Sequence, residues 1–323
     1  MENNAIAVKQ QRYSPEEEEL LFRRVPLDQE ESEHLAAEPY SYWKSVFRVF
    51  VRKPAAIIGV IGLLIMILGI IIIPQFAPAT ATKTDITIRH LAPSAEHWFG
   101  TDVVGRDLFY CCWIGLKKSL VLALIATAID IGLGTIVGLI WGYFRRLDPI
   151  LIELYNLVSN IPSLLFYMLL SFVIASAFPK VPVEARLIVS LTLFGWIGVA
   201  LFIRNQTLII NNREYNVASK PLGTPPMRIM FRNLLPYLLP VIITDLSLTI
   251  PGMISGEVSL SYFGVGLPSG SVSIGAILEL GRLQFETRPW EFFAPAGMLA
   301  FVIFVFYLIG LAFSDALDPK KHR

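Results

Sequence analysis

The sequence predicts an all-α integral membrane protein with six transmembrane helices. Of its 323 residues, 54% are hydrophobic and 16% are charged, whereas soluble domains are about 45–50% apolar and about 25% charged. The apolar residues form six stretches, each near the roughly 20 residues that a helix needs to cross the hydrocarbon core of a bilayer. Backbone polar groups find no water there, so each stretch must satisfy them internally, as a helix does.

Three sizeable polar segments lie between the six predicted spans. The spans cover residues 55–73, 119–143, 155–177, 187–203, 237–259 and 292–313. The polar segments cover residues 74–118, 204–236 and 264–291. Connections inside compact domains are usually only a few residues long, so the segment 204–236 is expected to carry a function of its own.

The distribution of Lys and Arg predicts the orientation. Placing the N-terminus in the cytoplasm puts fourteen of these 27 cations on the inside and nine in the longer outside loops. Because cytoplasmic flanks are enriched in Lys and Arg, both termini and the loop 204–236 are expected to be cytoplasmic. The segments 74–118 and 264–291 are then extracytoplasmic.

Residues 1–43 form an acidic N-terminal extension before the six-span domain, residues 44–323. The extension holds ten of the 26 acidic residues of the chain, including the run Glu16–Glu19. One interpretation is a solvated cytoplasmic tail. The alternative is a latch whose apolar face is made of Leu20, Leu21, Phe22 and Val25.

Several classes of function are disfavoured by what the sequence lacks. A formal charge of +1 gives no basic surface for nucleic acid. The two cysteines, Cys111 and Cys112, are adjacent, and the four histidines are scattered, so no metal-ligand spacing is present. There is neither a phosphate-binding loop nor a Gly-x-Ser-x-Gly turn. We therefore expect no catalytic residue, no metal and no cofactor on this chain.

The loop 204–236 contains the pattern of two short helices joined by a glycine. A helix is predicted over Glu214–Lys220, Gly223 is expected in the turn, and Pro225 with Pro226 is expected to start a second helix. Such a unit on the membrane surface has a shape that another protein can bind. The alternative is an ordinary connector with solvated charges.

This stretch resembles the "EAA" loop of ABC importer permeases. Gly223 and the pair Leu235-Pro236 match in register, and Ala218 matches the middle of the triplet, while Val217 stands where the family has Glu. The resemblance implies a coupling helix that docks in a groove of a cytoplasmic ATPase. The coupling residues that it implies are Glu214, Tyr215, Ala218, Ser219, Gly223 and Arg228.

Four further segments narrow the resemblance to the C-type permease of oligopeptide, dipeptide and nickel ABC importers. They are His97–Phe109, Gly256–Gly266, Ile161–Leu165 and Asp315–Pro319. The resemblance implies the type I importer permease fold in a bacterial plasma (inner) membrane. It also implies a homologous second permease, two ATPases that bind ATP and Mg²⁺, and an extracytoplasmic substrate-binding protein. The ATPases would be the partners of an N-terminal latch.

In this family peptides are the usual cargo and nickel is the main alternative. A different class is a secondary transporter that works alone, which predicts internal repeats around a midplane site. No repeat relates the two halves of this sequence. An intramembrane enzyme is disfavoured for want of paired catalytic groups.

Three carboxylates lie within the predicted spans: Asp130, Asp245 and Glu257. A carboxylate in the bilayer is costly, so it usually faces a cavity or a partner. We therefore consider all three as candidates for the translocation path. The alternative is that each makes a hydrogen bond between helices.

Two other patterns have alternative explanations. Gly134, Gly138 and Gly142 form a ridge of small residues, which allows close approach of either a partner permease or a helix of the same chain. The segment 97–109 places Arg106 near two aspartates, Asp102 and Asp107. It is expected either to cap the helix bundle or to contact a binding protein.

Overall fold

The structure, a computed structural model, describes residues 42–268 and 271–317, with side chains from Ser45 onward. The Glu16–Glu19 run and the proposed latch residues of the N-terminal extension lie outside the described residues. The chain divides after Tyr42 into two units, and the membrane-spanning helices belong to the second.

The described ranges contain helices, turns and one isolated bridge between Thr101 and Asp107, with no β-strand. The α-helices are α1 (Tyr42–Val51), α2 (Pro54–Ile72), α3 (Leu108–Tyr143), α4 (Asp148–Ser159), α5 (Ser163–Ala177), α6 (Val183–Thr192), α7 (Trp196–Asn211), α8 (Glu214–Ser219), α9 (Pro226–Arg228), α10 (Leu235–Tyr262), α11 (Ile274–Arg282) and α12 (Trp290–Leu317). A π-helical segment, Ile229–Leu234, joins α9 to α10. The predicted all-α fold is confirmed.

Five helical stretches are long and apolar enough to cross a membrane. They are Pro54–Gln75, Leu108–Tyr143, Val183–Asn211, Pro226–Tyr262 and Trp290–Leu317. A sixth crossing is formed when the pair Arg145–Ser159 and Ser163–Ala177, which meet at 90°, is counted as one broken span. The chain is therefore a multi-pass membrane protein.

The third predicted span, residues 155–177, starts too early. Residues 155–159 belong to α4, and the chain turns at residues 160–162 before α5 begins at Ser163. Pro162 has no N–H to continue the helix, and the Nδ2 atom of Asn160 donates to the Asn156 carbonyl oxygen at 2.7 Å, which closes the end of α4. Pro162 therefore lies at a full break between two helices, whereas α10 continues through Pro251.

Helices also extend into the predicted loops. Helix α3 begins at Leu108 because the Asp107 carboxylate accepts hydrogen bonds from the N–H groups of Phe109 and Tyr110, at 2.9 and 3.2 Å. The fourth predicted span, 187–203, is part of two helices, α6 and α7, separated by a break at residues 193–195. The part of 204–236 outside long helices is therefore shorter than the sequence suggests.

The glycine ridge of α3 packs against α7 of the same chain. A Cβ atom on Gly134 would lie 2.5 Å from the Val199 Cβ, and one on Gly138 would lie 2.4 Å from the Ala200 carbonyl oxygen. A Cβ on Gly142 would lie 2.6 Å from the Thr207 Cβ. The ridge therefore serves packing within this subunit, the second of the two explanations that the sequence left open.

Substituting Gly138 with Ala is expected to destabilise the protein, because the added methyl group meets backbone on α7. Overpacking of this kind costs about 1–3 kcal/mol. Gly132, on the same helix, has open space at its Cβ position and supplies a matched control. Thermal unfolding of the purified protein in detergent should show a Tm lowered by several degrees for Gly138→Ala and unchanged for Gly132→Ala. Equal Tm values would contradict the close packing of α3 on α7.

Candidate functional site

The segment between α7 and α10 forms the helix–glycine–helix unit that the sequence predicts. Arg213 has an extended backbone at the start of α8, with φ −69° and ψ 145°. Gly223 has φ +75°, a left-handed conformation that suits glycine. Pro226 occupies the first turn of α9, where the missing N–H is harmless.

A buried amide side chain holds α8 in place. Asn216 is 0% exposed, and its Nδ2 atom donates to the carbonyl oxygen of Ile210 at 2.9 Å. Its Oδ1 atom accepts a hydrogen bond from the Nδ2 of Asn233 at 3.2 Å. Helix α8 is therefore tied both to the last turn of α7 and to the π-helical start of the next span. Asn216 was not predicted from the sequence, where its signal is that of a poor helix former inside a predicted helix.

Aromatic rings fix the same unit against neighbouring spans. The rings of Tyr215 and Tyr237 lie with centroids 5.8 Å apart. The guanidinium of Arg213 lies 5.6 Å from the ring centroid of Tyr237, and the Lys220 ammonium lies 5.6 Å from that of Tyr143. These cation–π contacts link α8 and its turn to α10 and to the end of α3.

The side chains that the resemblance implied for coupling lie on the surface. Ser219 is half-buried, and the others are exposed: Glu214, Tyr215, Ala218, Gly223 and Arg228. Three large apolar side chains are exposed beside them, with Leu222 at 83%, Met227 at 61% and Val217 at 51%. This mixture of protruding apolar and charged groups is typical of a surface that binds another protein. We call it the coupling surface, residues 213–228.

A second polar cluster connects helices at the same end of the bundle. The Asp148 carboxylate accepts from Trp141 Nε1 at 2.7 Å and from Arg204 Nη2 at 2.8 Å. The Arg204 guanidinium also lies 5.6 Å from the Trp141 ring centroid. The end of α3, the start of α4 and α7 are thereby joined near the coupling surface.

The three carboxylates proposed for the translocation path lie at separate places. Glu257 is fully buried, and its Oε1 atom accepts from Ser261 Oγ at 2.9 Å. Asp130 is buried in the middle of α3, and its Oδ1 atom has no hydrogen-bond partner among the described residues. Asp245 is half-buried, and its Oδ2 atom likewise has none there. Within the described residues, no hydrogen bond joins any two of them.

Asp130 contacts the break between α6 and α7. A Cβ atom on Gly195 would lie 2.1 Å from the Asp130 Oδ2 atom and 2.7 Å from the Leu191 carbonyl oxygen, so a side chain there would meet backbone as well as this carboxylate. Gly195 also lines a cavity of about 340 Å³ at the bend between α4 and α5. Its aromatic walls are Tyr155, Phe166, Tyr167 and Phe194. The breaks of the third and fourth spans therefore meet around one open space.

The segment 97–109 is held together by buried polar contacts. The Asp102 carboxylate accepts from the backbone N–H of Val104 and Arg106, at 2.9 and 2.8 Å, and from Arg106 Nε at 2.7 Å. Asp102 and Arg106 are 2% and 3% exposed. Gly105 has φ +83°, and a Cβ there would collide with the Asp85 carbonyl oxygen at 1.7 Å. This part of the segment is a structural cap.

Asp107 is not part of the Arg106 ion pair. Its Oδ2 atom lies 2.7 Å from His97 Nδ1, while its other oxygen caps α3. A second histidine, His90, lies 2.6 Å from the Glu291 Oε1 atom at the start of α12. These contacts attach the cap to α3 and α12. Trp98 remains 65% exposed on its outer surface.

The described ranges contain no group of three or more His, Cys, Asp or Glu side chains that is arranged to hold a metal ion. Cys111 and Cys112 are buried free cysteines.

Removing the Asn216 side chain should release α8, because the Ile210 carbonyl and the Asn233 amide lose their buried partner. Such a loss costs about 1–3 kcal/mol, so amide hydrogen exchange in residues 210–224 should accelerate about ten- to a hundredfold in Asn216→Ala. The matched control is Asn212→Ala, which alters an exposed amide four residues earlier. Equal protection in the two variants would show that Asn216 does not hold the unit.

Comparison with known proteins shows the family to which this chain belongs. Residues 134–323 match the model described as binding-protein-dependent transport system inner membrane component. Residues 41–93 match the N-terminal TM domain of oligopeptide transport permease C. These matches confirm the resemblance on which the coupling residues were chosen.

Similar curated proteins span nearly the whole chain. The oligopeptide transport system permease protein AmiD of Streptococcus pneumoniae is 37% identical over 307 residues, which cover 94% of this chain and 97% of the relative. OppC, the oligopeptide transport system permease protein of Bacillus subtilis, is 32% identical, with 94% and 98% covered. DppC, the dipeptide transport system permease protein of the same organism, is 34% identical, with 91% and 90% covered. The chain therefore belongs to the family of inner membrane components of binding-protein-dependent transport systems.

Proposed function

We propose that this chain is the permease subunit of an ATP-driven importer for oligopeptides and forms half of its translocation pathway. AmiD and OppC align with this chain over almost its whole length, and both are named as oligopeptide transport permeases. This proposal rests on those names. The coupling surface supports it, because a transport subunit without an ATP site of its own needs a place where the ATPases act. A homologous permease, two ATPases with ATP and Mg²⁺, and a substrate-binding protein complete the assembly.

The coupling step follows from how α8 is attached. A groove on the ATPase grips the coupling surface, and closure of the two ATPases on ATP displaces it. Asn216 joins α8 to both α7 and the segment that leads into α10. The displacement therefore reaches two spans at once instead of deforming a flexible loop. This linkage is the kind of rigid contact through which a local movement changes a bundle of helices.

The breaks near mid-membrane supply the movable part of the path. Helix α7 carries the displacement toward Gly195, where α6 and α7 separate and where Asp130 lies against the backbone. Asp130, Asp245 and Glu257 remain proposals for the path. Of the three, Asp245 is the most accessible from outside the subunit.

The proposed function also fixes the orientation of the chain in the membrane. Both termini and the coupling surface are cytoplasmic, and the cap formed around residues 97–107 faces the outside of a bacterial plasma membrane. The cap presents Trp98 to the substrate-binding protein, while its buried ion pair keeps it rigid.

Dipeptides are the second candidate cargo, because DppC is 34% identical to this chain. Nickel is a more distant candidate, since no metal-binding group is present among the described residues. Because the binding protein can select the cargo, transport assays decide between these candidates.

Gly223 provides a test of coupling. Proline cannot adopt the φ of +75° found at Gly223, and it loses the N–H that donates to the Lys220 carbonyl oxygen at 3.0 Å. Asparagine tolerates this conformation, and the space around the Gly223 Cβ position is open. In proteoliposomes that hold the whole importer, ATP-driven uptake of a labelled oligopeptide should fall at least tenfold in Gly223→Pro and at most twofold in Gly223→Asn.

The same assay includes a labelled dipeptide and Ni²⁺ as competing cargoes and omits the binding protein in one arm. Oligopeptide uptake that depends on the binding protein supports oligopeptides as the cargo. Uptake of only the dipeptide or only Ni²⁺ would identify that substrate as the cargo instead. Equal uptake by the two Gly223 variants would refute the coupling role of this turn.

The apolar part of the coupling surface has its own test. Leu222 is 83% exposed, so Leu222→Asp should leave the Tm of the isolated subunit unchanged. We expect the same substitution to release the ATPases during affinity purification, because it places a charge in an apolar contact. Exposed Arg232→Gln, just beyond the coupling surface, is the control and should retain them. Retention of the ATPases by Leu222→Asp would exclude Leu222 from the interface.

A further inference from the structure

A small pocket opens in the cap at the point where the chain enters α3. Its volume is about 170 Å³, and it is lined by Ala95, Glu96, Trp98, Asp107, Phe109 and Tyr110. Two of these residues are acidic, three are aromatic and none is basic. Carboxylates accept hydrogen bonds from ammonium and guanidinium groups, and the faces of aromatic rings attract them. The lining itself therefore selects a cation as the ligand.

The aromatic walls of this pocket support one another. The ring centroids of Trp98 and Phe109 lie 4.8 Å apart, and those of Phe109 and Tyr110 lie 5.5 Å apart. Phe99 adds an edge-on contact with Phe109 at 5.2 Å. Rings at these separations attract each other, so the walls are in position before a ligand enters.

The two carboxylates differ in how far their own chain already occupies them. Asp107 is buried; one of its oxygens accepts from two backbone N–H groups of α3, and the other lies 2.7 Å from His97 Nδ1. Glu96 is exposed, and its carboxylate makes neither a hydrogen bond nor an ion pair within the described ranges. Glu96 therefore has its acceptor sites free for a ligand, whereas Asp107 is fixed in the wall of the pocket.

The surroundings narrow the class of cation. The ammonium of a phospholipid is attached to a phosphate, which two carboxylates would repel. A metal ion would find only these two acids, because the described residues hold no group of three possible ligands. The side chain of lysine or arginine suits the pocket better, since its apolar stem can lie along the rings while its charged end meets the carboxylates.

The outer surface near the pocket is suited to a protein partner. Trp98 is exposed, and so are Ile86 and Leu91 in the segment that precedes the cap. This segment is hydrogen-bonded to the cap, since the Asp85 N–H donates to the Val104 carbonyl oxygen at 3.0 Å. Exposed apolar side chains and an exposed tryptophan beside a charged pocket are typical of protein-binding surfaces.

We propose that this pocket receives one basic side chain, a lysine or an arginine, of the substrate-binding protein. Its charged end pairs with Glu96 beside Asp107, and its stem packs against the rings of Trp98 and Phe109. The inference rests on the proposed function, which places the cap outside the membrane and a binding protein against it. It makes docking depend on one charge pair that aromatic rings shelter from water.

The experiment uses the complete importer in lipid nanodiscs and its peptide-free substrate-binding protein, with Kd measured by microscale thermophoresis. We expect Glu96→Gln and Trp98→Ala each to raise Kd about tenfold or more, because a hydrogen bond to a charged group and a desolvated cation–π contact are each worth about that factor. Both residues are exposed, so neither change should alter the Tm.

The matched controls change charge or ring size without removing the contact. Glu286→Gln removes another exposed acid, from the segment 264–291, and should change Kd less than about twofold. Trp98→Phe keeps an aromatic wall and should raise Kd less than about threefold. An equal loss for Glu96→Gln and Glu286→Gln would reduce the contact to general surface charge and overturn the proposal.

A double-mutant cycle identifies the basic residue on the partner. Exposed Lys and Arg residues of the binding protein are replaced by Gln one at a time and measured against the wild-type importer and against Glu96→Gln. One replacement should raise Kd about tenfold with the wild type and less than about twofold with the variant. If no replacement shows this coupling, the pocket does not receive a basic side chain.

Parallel arms separate the other sources of a cation. One arm loads the binding protein with a peptide whose N-terminus is free or acetylated, and another omits phosphatidylethanolamine from the nanodiscs. A Glu96→Gln effect that needs the free N-terminus would make the cargo the ligand, and one that needs phosphatidylethanolamine would make it a lipid headgroup. Failure of the wild-type importer to bind the binding protein would refute the proposed function, whereas an unchanged Kd in every variant would refute only this pocket.

Discussion

The close approach of α3 and α7 is the contact on which the rest of the structure depends. Three glycines spaced four residues apart bring the α3 backbone against Val199, Ala200 and Thr207, with no space for a methyl group. Between membrane helices, packing of this kind replaces the hydrophobic driving force that water supplies elsewhere. Helix α3 runs from the Asp107 cap to the Trp141 cluster, so this contact fixes α7 to the helix that connects the two ends of the subunit.

The two ends are built with different chemistry. At the end that carries the cap, the buried Asp102 carboxylate is satisfied locally by three N–H donors. At the other end, α8 is held by amide hydrogen bonds and ring contacts, while its large side chains project outward. A rigid cap at one end and a protruding, firmly attached helix at the other suit a subunit that is pushed from one side.

Much of this arrangement is readable from the sequence, and the exceptions have physical causes. Composition and hydropathy give the all-α fold, and Pro226 and Gly223 give the shape of the coupling surface. The full break at Pro162 was not predicted, since sequence does not say whether neighbouring contacts will restore a helix after a proline. Asn216 was missed because burial of a single polar side chain depends on the tertiary position of Ile210 and Asn233. The fit of Asp130 to Gly195 was missed for the same reason, since 65 positions separate the two.

The bend between α4 and α5 has a consequence for membrane insertion. Helix α5 has 15 residues, about 22 Å in length, and Ser171 is the only buried residue in α4 and α5. A hydrophobic length shorter than a bilayer of about 30 Å is accommodated by local thinning, by snorkelling of flanking side chains or by association with other helices. In addition, irregular backbone at membrane depth is tolerated only where protein or a water-filled space shelters it. The bend between the two helices therefore has to be sheltered by other protein or by a water-filled space, and the cavity of about 340 Å³ that Gly195 lines lies beside it.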